Sequence, residues 1–109
     1  PPMPYYVAIL VDRRRAKRLG PPQTVNFPGT QMGRQLLAVA LAIQGAPPLL
    51  AATAHLESMK DQAVERKRQL ARGLRYLRAA VGQAFAGAPP GSERVAAALL
   101  GGDLNLRDE

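Results

Sequence analysis

The chain has 109 residues, 47% hydrophobic and 21% charged, which is the size and composition of one small globular unit with no room for a second domain. Fifteen Lys and Arg against eight Asp and Glu give a net charge of +7, which favours a polyanion such as nucleic acid or a phosphorylated ligand over a cationic partner, with simple solubility an equal reading of the charge. No cysteine and a single histidine exclude a disulfide scaffold, a zinc ribbon, a thiol nucleophile and any site needing several imidazoles.

Pro1-Pro2-Met3-Pro4 contains no basic segment followed by an apolar core, so no signal peptide is visible and nuclear or cytoplasmic residence is expected. Tyr6 to Val11 is rich in β-branched and aromatic residues and is predicted to be a strand. Five cations in the six residues from Arg13 to Arg18 follow; they suit phosphate binding, but a solvated hairpin tip explains them as well and is preferred. Gly20-Pro21-Pro22 is read as a turn, and Thr24 to Phe27 as a short returning strand ended by Pro28-Gly29, because proline lacks the donor a ladder needs.

From Leu37 to Ile43, large residues alternate with Ala38, Ala40 and Ala42. Period two with both faces apolar predicts a strand buried on two sides, with bulk on one face and close approach on the other. Leu49 to Ala54 is a second such run, and the short Gly45-Ala46-Pro47-Pro48 connection suits an antiparallel hairpin and rules out reading this uncharged stretch as a membrane span. Asp61 to about Phe85 changes rhythm: Leu70, Leu74, Leu77, Val81 and Phe85 recur at helical spacing with Arg66, Lys67, Arg68, Arg72, Arg75 and Arg78 largely between them. This predicts one long amphipathic helix with an apolar stripe and a solvated basic face, capped by Ser58 or Asp61 and stopped by Gly87-Ala88-Pro89-Pro90-Gly91. Val95 to Leu100 fits a third buried strand.

Strand, helix, strand is a crossover that joins parallel strands. Both strands then end on the same edge of the sheet, where α/β proteins bind ligands. His55-Leu56-Glu57-Ser58 and Gly101-Gly102-Asp103-Leu104-Asn105-Leu106-Arg107-Asp108 lie there. His55 is the one group suited to proton transfer near neutrality; Asp103 and Asn105 share one side of a tight turn, and Arg107 offers a planar fork for phosphate. Singly each has an ordinary structural explanation. Together a carboxylate, an amide, an imidazole and a guanidinium are what hydrolysis of a phosphodiester requires.

Gly102-Asp103-Leu104-Asn105 after an apolar strand, with an earlier strand ending in His55-Leu56, resembles the endonuclease/exonuclease/phosphatase superfamily of metal-dependent phosphodiesterases. The resemblance is closer to its tyrosyl-DNA phosphodiesterase 2 family, whose members remove tyrosine adducts left by topoisomerase II on 5′ DNA ends. It is carried by Phe27-Pro28, Met32 and Arg34, by His55-Leu56-Glu57-Ser58, by Ala63, Glu65-Arg66 and Gln69-Leu70, and by Gly102 to Asp108. The fold it implies is α/β, part of a two-sheet sandwich with buried strands and one long amphipathic helix. The function it implies is magnesium-dependent hydrolysis, with manganese as a substitute, of the phosphotyrosyl bond at a 5′ DNA end. Asp103 would orient or activate the attacking water, Asn105 would contact the scissile phosphate, and His55 would support the phosphate site. Ser58, Arg107, Arg34 and Lys60 would hold the DNA, Lys60 standing where the family tends to carry an arginine.

The family also uses an Asn motif and a metal-binding Glu from an amino-terminal half, and a Ser-Asp-His motif near the carboxyl end. None of these occurs here. Residues 1–109 are therefore expected to be a single partial domain, an internal segment holding part of a split site, with no metal ligand set of its own and no turnover alone. The alternatives are another phosphodiesterase or nuclease of the superfamily, or a non-catalytic basic module that binds nucleic acid through Arg13 to Arg18 and the helix.

Overall fold

A computed structural model describes residues 6–106. The elements, in order, are β1 (Ala16–Arg18), β2 (Gln23–Asn26), β3 (Gln35–Ile43), β4 (Leu49–His55), a 3-10 turn (Lys60–Gln62), α1 (Ala63–Ala80) and β5 (Ala97–Asp103). They form a single five-stranded sheet in the order β1-β3-β4-β5, with β2 also paired to β3. β3 and β4 are the antiparallel hairpin that their alternation predicts, with Leu36 opposite Ala54 and Leu41 opposite Leu49. β5 pairs with β4 in parallel, as the crossover requires.

The two faces of β3 differ as its alternation predicts. Leu36, Ala38 and Ala40, with Leu50, Ala52 and Ala54 of β4, form the core under the helix, joined by Phe27, Leu56, Leu77 and Val95. Four of these sheet residues are alanines, so the helix backbone comes close. A Cβ on Gly73 would lie 3.0 Å from Cδ1 of Leu36, so helix and sheet are in close contact here. The bulky residues face the other way, where residues 7–11 cross the sheet and leave a cleft of about 900 Å³ lined partly by Val7, Ile9, Leu37 and Val39. One helix-covered sheet is thus present among the described residues.

Several predicted elements differ. Tyr6 to Val11 forms no strand; β3 is paired on one side with β4 and on the other with β1 and β2, and residues 7–11 line the cleft over its bulky face instead. Tyr6 and Leu10 are accordingly exposed. β1 and β2 are one interrupted strand along β3 rather than arms of a hairpin. Arg18 pairs with Leu41 and Gln23 with Ala38, so the first strand advances two residues more than its partner, and Gly20-Pro21-Pro22 forms a bulge there, not a reversal. The basic tip is confined to Arg13 to Arg15, where Asp12 accepts hydrogen bonds from the N–H groups of Arg14, Arg15 and Ala16; Lys17 and Arg18 belong to β1.

α1 ends at Ala80, earlier than predicted. Gly82 turns there at φ 86°, and Phe85 packs on the core from the following loop. Neither Ser58 nor Asp61 caps the helix; Gln62 holds that position with no side-chain cap bond. The buried face is Arg66, Gln69, Gly73 and Leu77, whereas Leu74 is half exposed. The buried stripe thus lies part of a turn away from the predicted one, and Arg66, expected on the solvated face, is 1% exposed. β5 is not buried either: Leu99 is 52% exposed, because β5 pairs only with β4 among the described strands. No helix among the described residues is long and apolar enough to cross a membrane.

Candidate active site

The residues entering β3 and those leaving β4 and β5 meet at one end of the sheet. The parallel register sets His55 opposite Asp103, and Nε2 of His55 lies 3.4 Å from Oδ2 of Asp103 with both side chains partly open to solvent. Gly102 makes the approach possible. At φ 143°, a Cβ on it would run into the carbonyl oxygen of Ala54, a conformation and a contact that only glycine accepts.

Beyond β5 the chain makes the tight turn predicted for Asp-x-Asn. The N–H of Asn105, a residue at φ 50°, donates to Oδ1 of Asp103 over 3.1 Å. Its side-chain Nδ2 donates to the carbonyl oxygen of Leu56 over 2.8 Å, and the N–H of Leu56 donates to the carbonyl oxygen of Asp103 over 3.0 Å. These bonds tie the ends of β4 and β5 together. A primary amide has two donor hydrogens, so Asn105 keeps one for a ligand, and the Asp103 carboxylate is oriented while 63% exposed.

Beneath this edge lies a polar network that sequence reasoning did not single out. Glu57 is fully buried. Its Oε1 accepts from Oγ1 of Thr30 at 2.6 Å and Nε2 of Gln69 at 2.9 Å, and its Oε2 accepts from the N–H groups of Gln31 and Met32, each at 3.1 Å. Burial pushes its carboxyl up. The hydrogen bonds from Thr30, Gln69, Gln31 and Met32 outweigh that and hold it below the usual glutamate range. Thr30 extends the network by accepting from the N–H of Arg34 at 2.9 Å. One buried charge thus fixes the loop from Thr30 to Arg34 against the end of β4 and the first turns of α1. The signal available in sequence was Arg66, Gln69 and Gly73 at helical spacing, a face that reads as polar until it is set against a buried carboxylate and a wall of alanines.

Arg66 completes the arrangement. Its Nη1 donates to the carbonyl oxygens of Glu57 at 2.9 Å and Met59 at 3.0 Å. Met59 adopts φ 79° and ψ 145°, a conformation that costs a non-glycine residue about 1–3 kcal/mol and persists only where its surroundings impose it. Met59→Gly should relieve this strain, less roughly 0.5–1 kcal/mol for the added freedom of the unfolded chain. Urea denaturation should show a net gain of about 1 kcal/mol; a loss of stability would refute the strain.

The remaining predicted residues fall as follows. Oγ of Ser58 and Nη2 of Arg34 both reach Sδ of Met32 at 3.4 Å. Arg34 is only 8% exposed, so little of it faces solvent. Lys60 is exposed at the start of the 3-10 turn. Arg107 lies outside the described residues. The edge therefore gathers His55, Asp103 and Asn105, with Ser58 and Arg34 grouped around Met32.

Among the described residues, no three His, Asp or Glu side chains group closely enough to hold a metal ion. Magnesium takes near-octahedral oxygen ligation, and Glu57, two residues after His55, is turned inward with both oxygens hydrogen-bonded. The described residues do not make a metal site by themselves.

No family model matches the chain. It is 35% identical over 105 residues to tyrosyl-DNA phosphodiesterase 2 of Bos taurus and 36% identical over 104 residues to that of Homo sapiens, covering 96% and 95% of this chain but 25% of each relative. It therefore spans about a quarter of the length of these curated relatives. Among solved structures it is similar to a humanized Danio rerio tyrosyl-DNA phosphodiesterase 2 carrying 14 mutations, with a TM-score of 0.70 and 33% identity over 88% of this chain and 36% of that one. It is likewise similar to Danio rerio tyrosyl-DNA phosphodiesterase 2 complexed with a single-strand DNA product, with a TM-score of 0.67 and 35% identity over 88% of this chain and 33% of that one. In sequence and in fold, the chain matches a segment of tyrosyl-DNA phosphodiesterase 2, with the endonuclease/exonuclease/phosphatase fold.

Proposed function

We propose that the protein hydrolyses the phosphotyrosyl bond at 5′ DNA ends, and that this chain supplies the Asp103 side of the site. The observation that carries the reading is the parallel register that sets His55 beside Asp103, in a chain that matches a segment of tyrosyl-DNA phosphodiesterase 2. In the reaction, water attacks phosphorus and the bond to the tyrosine oxygen breaks, leaving a 5′-phosphate. Asp103 orients that water and accepts its proton, Asn105 donates its remaining amide hydrogen to a non-bridging oxygen, and His55 holds the Asp103 carboxylate in place. Ser58, Lys60 and Arg107 contact the strand, whereas Arg34, 8% exposed with Nη2 on Sδ of Met32, braces the Met32 side chain that Ser58 also touches. A divalent ion, magnesium or manganese, belongs to the proposal as a requirement whose ligands the described residues do not complete. Topoisomerase II adducts in the nucleus or cytoplasm are the substrate and setting that fit this chemistry.

The test is an oligonucleotide with a 5′-phosphotyrosyl end, compared with an abasic-site duplex, using the full-length protein. Tyrosine should be released from the first, with no incision of the second. EDTA should abolish release, and added magnesium or manganese should restore it. Incision of the abasic duplex alone would instead make it a nuclease of the superfamily, and binding of DNA with no hydrolysis would make it a basic binding module.

A further inference from the structure

α1 carries Lys67, Arg68, Arg72, Arg75 and Arg78 on exposed positions, and none of them contributes to the edge just described. Three of these differ from an ordinary solvated face. Arg68, Arg72 and Arg75 line a cleft of about 280 Å³ between the helix and the Phe27-Pro28-Gly29 turn. Nε of Arg72 donates to the carbonyl oxygen of Asn26 over 2.9 Å, so this guanidinium is held at the cleft before any ligand arrives, which lowers the entropy lost on binding. One acidic side chain, Glu65, also lines the cleft, and its Oε2 accepts from Nε2 of Gln69 over 2.9 Å. The arginines therefore outnumber it three to one.

The position of the cleft is informative. Its wall, Phe27-Pro28-Gly29, runs directly into Thr30-Gln31-Met32, the loop that Glu57 fixes beside Ser58 and Arg34. The cleft and the loop beside Ser58 and Arg34 are thus joined by one continuous segment of chain. From Arg68 to Arg75 the helix rises roughly 10 Å, about the axial length of three phosphates on one strand.

We infer that Arg68, Arg72 and Arg75 form a second binding surface for the nucleic-acid backbone, engaging phosphates several nucleotides inside the 5′ end. The inference rests on the reading of the edge as a DNA-end site, and it adds where the rest of the strand goes. The surface reads charge rather than sequence, since guanidinium-to-phosphate bonds carry no base information.

The test measures binding without turnover, by fluorescence anisotropy of 5′-phosphorylated single-stranded oligonucleotides of four and twelve nucleotides with the full-length protein over a range of salt concentrations. With Arg68, Arg72 and Arg75 all changed to Gln, the slope of log affinity against log salt for the longer oligonucleotide should become shallower by about 2, because each single-strand phosphate that an arginine neutralises adds about 0.7 to it. The slope for the four-nucleotide probe should stay within error. Because Arg72 also holds the Asn26 carbonyl, the double change Arg68→Gln and Arg75→Gln is the control for folding, with an expected slope change of about 1.4. Changing Arg13, Arg14 and Arg15 to Gln removes the same net charge from the distant turn and should change the slope little. An equal change from that variant, no change from the two helix variants, or no DNA binding at all would each overturn the inference. If binding that depends on these three arginines persists but tyrosyl DNA is not hydrolysed, the catalytic reading fails and the second surface remains.

Discussion

Asp103→Asn should lower hydrolysis of a 5′-phosphotyrosyl oligonucleotide by about 10²- to 10⁴-fold, the range associated with loss of a positioned general base, while leaving stability within about 0.5 kcal/mol of the parent. The two halves of this expectation have separate physical origins. The Asp103 side chain is 63% exposed, accepts from the N–H of Asn105 and faces Nε2 of His55. An amide oxygen still accepts from the N–H of Asn105, and at this exposed position the weaker bond costs little, so the turn survives. What disappears is the negative charge that takes a proton from water and faces His55 at 3.4 Å. Release of tyrosine under single-turnover conditions, read beside a thermal melt, separates the two. Retained turnover would remove Asp103 from the chemistry, and lost turnover with a collapsed melt would make it structural.

Glu57→Gln should show the opposite pattern, with stability falling by about 3 kcal/mol because a buried acceptor of charge-assisted hydrogen bonds is lost. The glutamate accepts two bonds on each oxygen, from Thr30 and Gln69 on one and from Gln31 and Met32 on the other. A glutamine must turn an NH₂ group toward one of those pairs of donors. The pH dependence follows from the lowered carboxyl of Glu57. A group with its folded pKa below its unfolded value binds fewer protons in the folded state, so its stabilisation is complete above the unfolded value and is lost as pH falls through the folded value. Urea melts between pH 7 and pH 3 should therefore show stability declining on the acid side in the parent, with that component absent from the glutamine variant. Stability that rises toward low pH in the parent would contradict the assignment of an ionised buried carboxylate.

These two carboxylates divide the labour of the edge. Asp103 is open, oriented by a single turn and available to a ligand; Glu57 is closed and holds in place the loop that carries Met32 and Arg34. Arg66 ties the exit of β4 to the start of α1 by donating to the carbonyl oxygens of Glu57 and Met59. Glu57 and Arg66 both stand within the motif residues that carry the family resemblance, yet a motif gives no indication of which of its letters faces inward.

The strands β3 and β4, the hairpin between them and the parallel return to β5 were legible from the chain, because period-two alternation and a short Gly-Pro connection are local properties. The shared edge of His55 and Asp103 followed, since a parallel crossover places both strand ends on one side. Three features needed partners far away in sequence. The phase of α1 depends on the alanine face of the sheet, against which Gly73 and the buried polar side chains fit better than Leu74 does. The fate of residues 6–26 depends on which surface each segment meets: β1 and β2 pair along β3 around a bulge, and Tyr6 to Val11 stays outside the sheet. The ionised state of Glu57 depends on four donors brought in from two other segments. Local pattern determines which segments have an apolar face; which other surface each face meets, and whether a charge is buried between them, is set by packing and by the supply of hydrogen-bond donors.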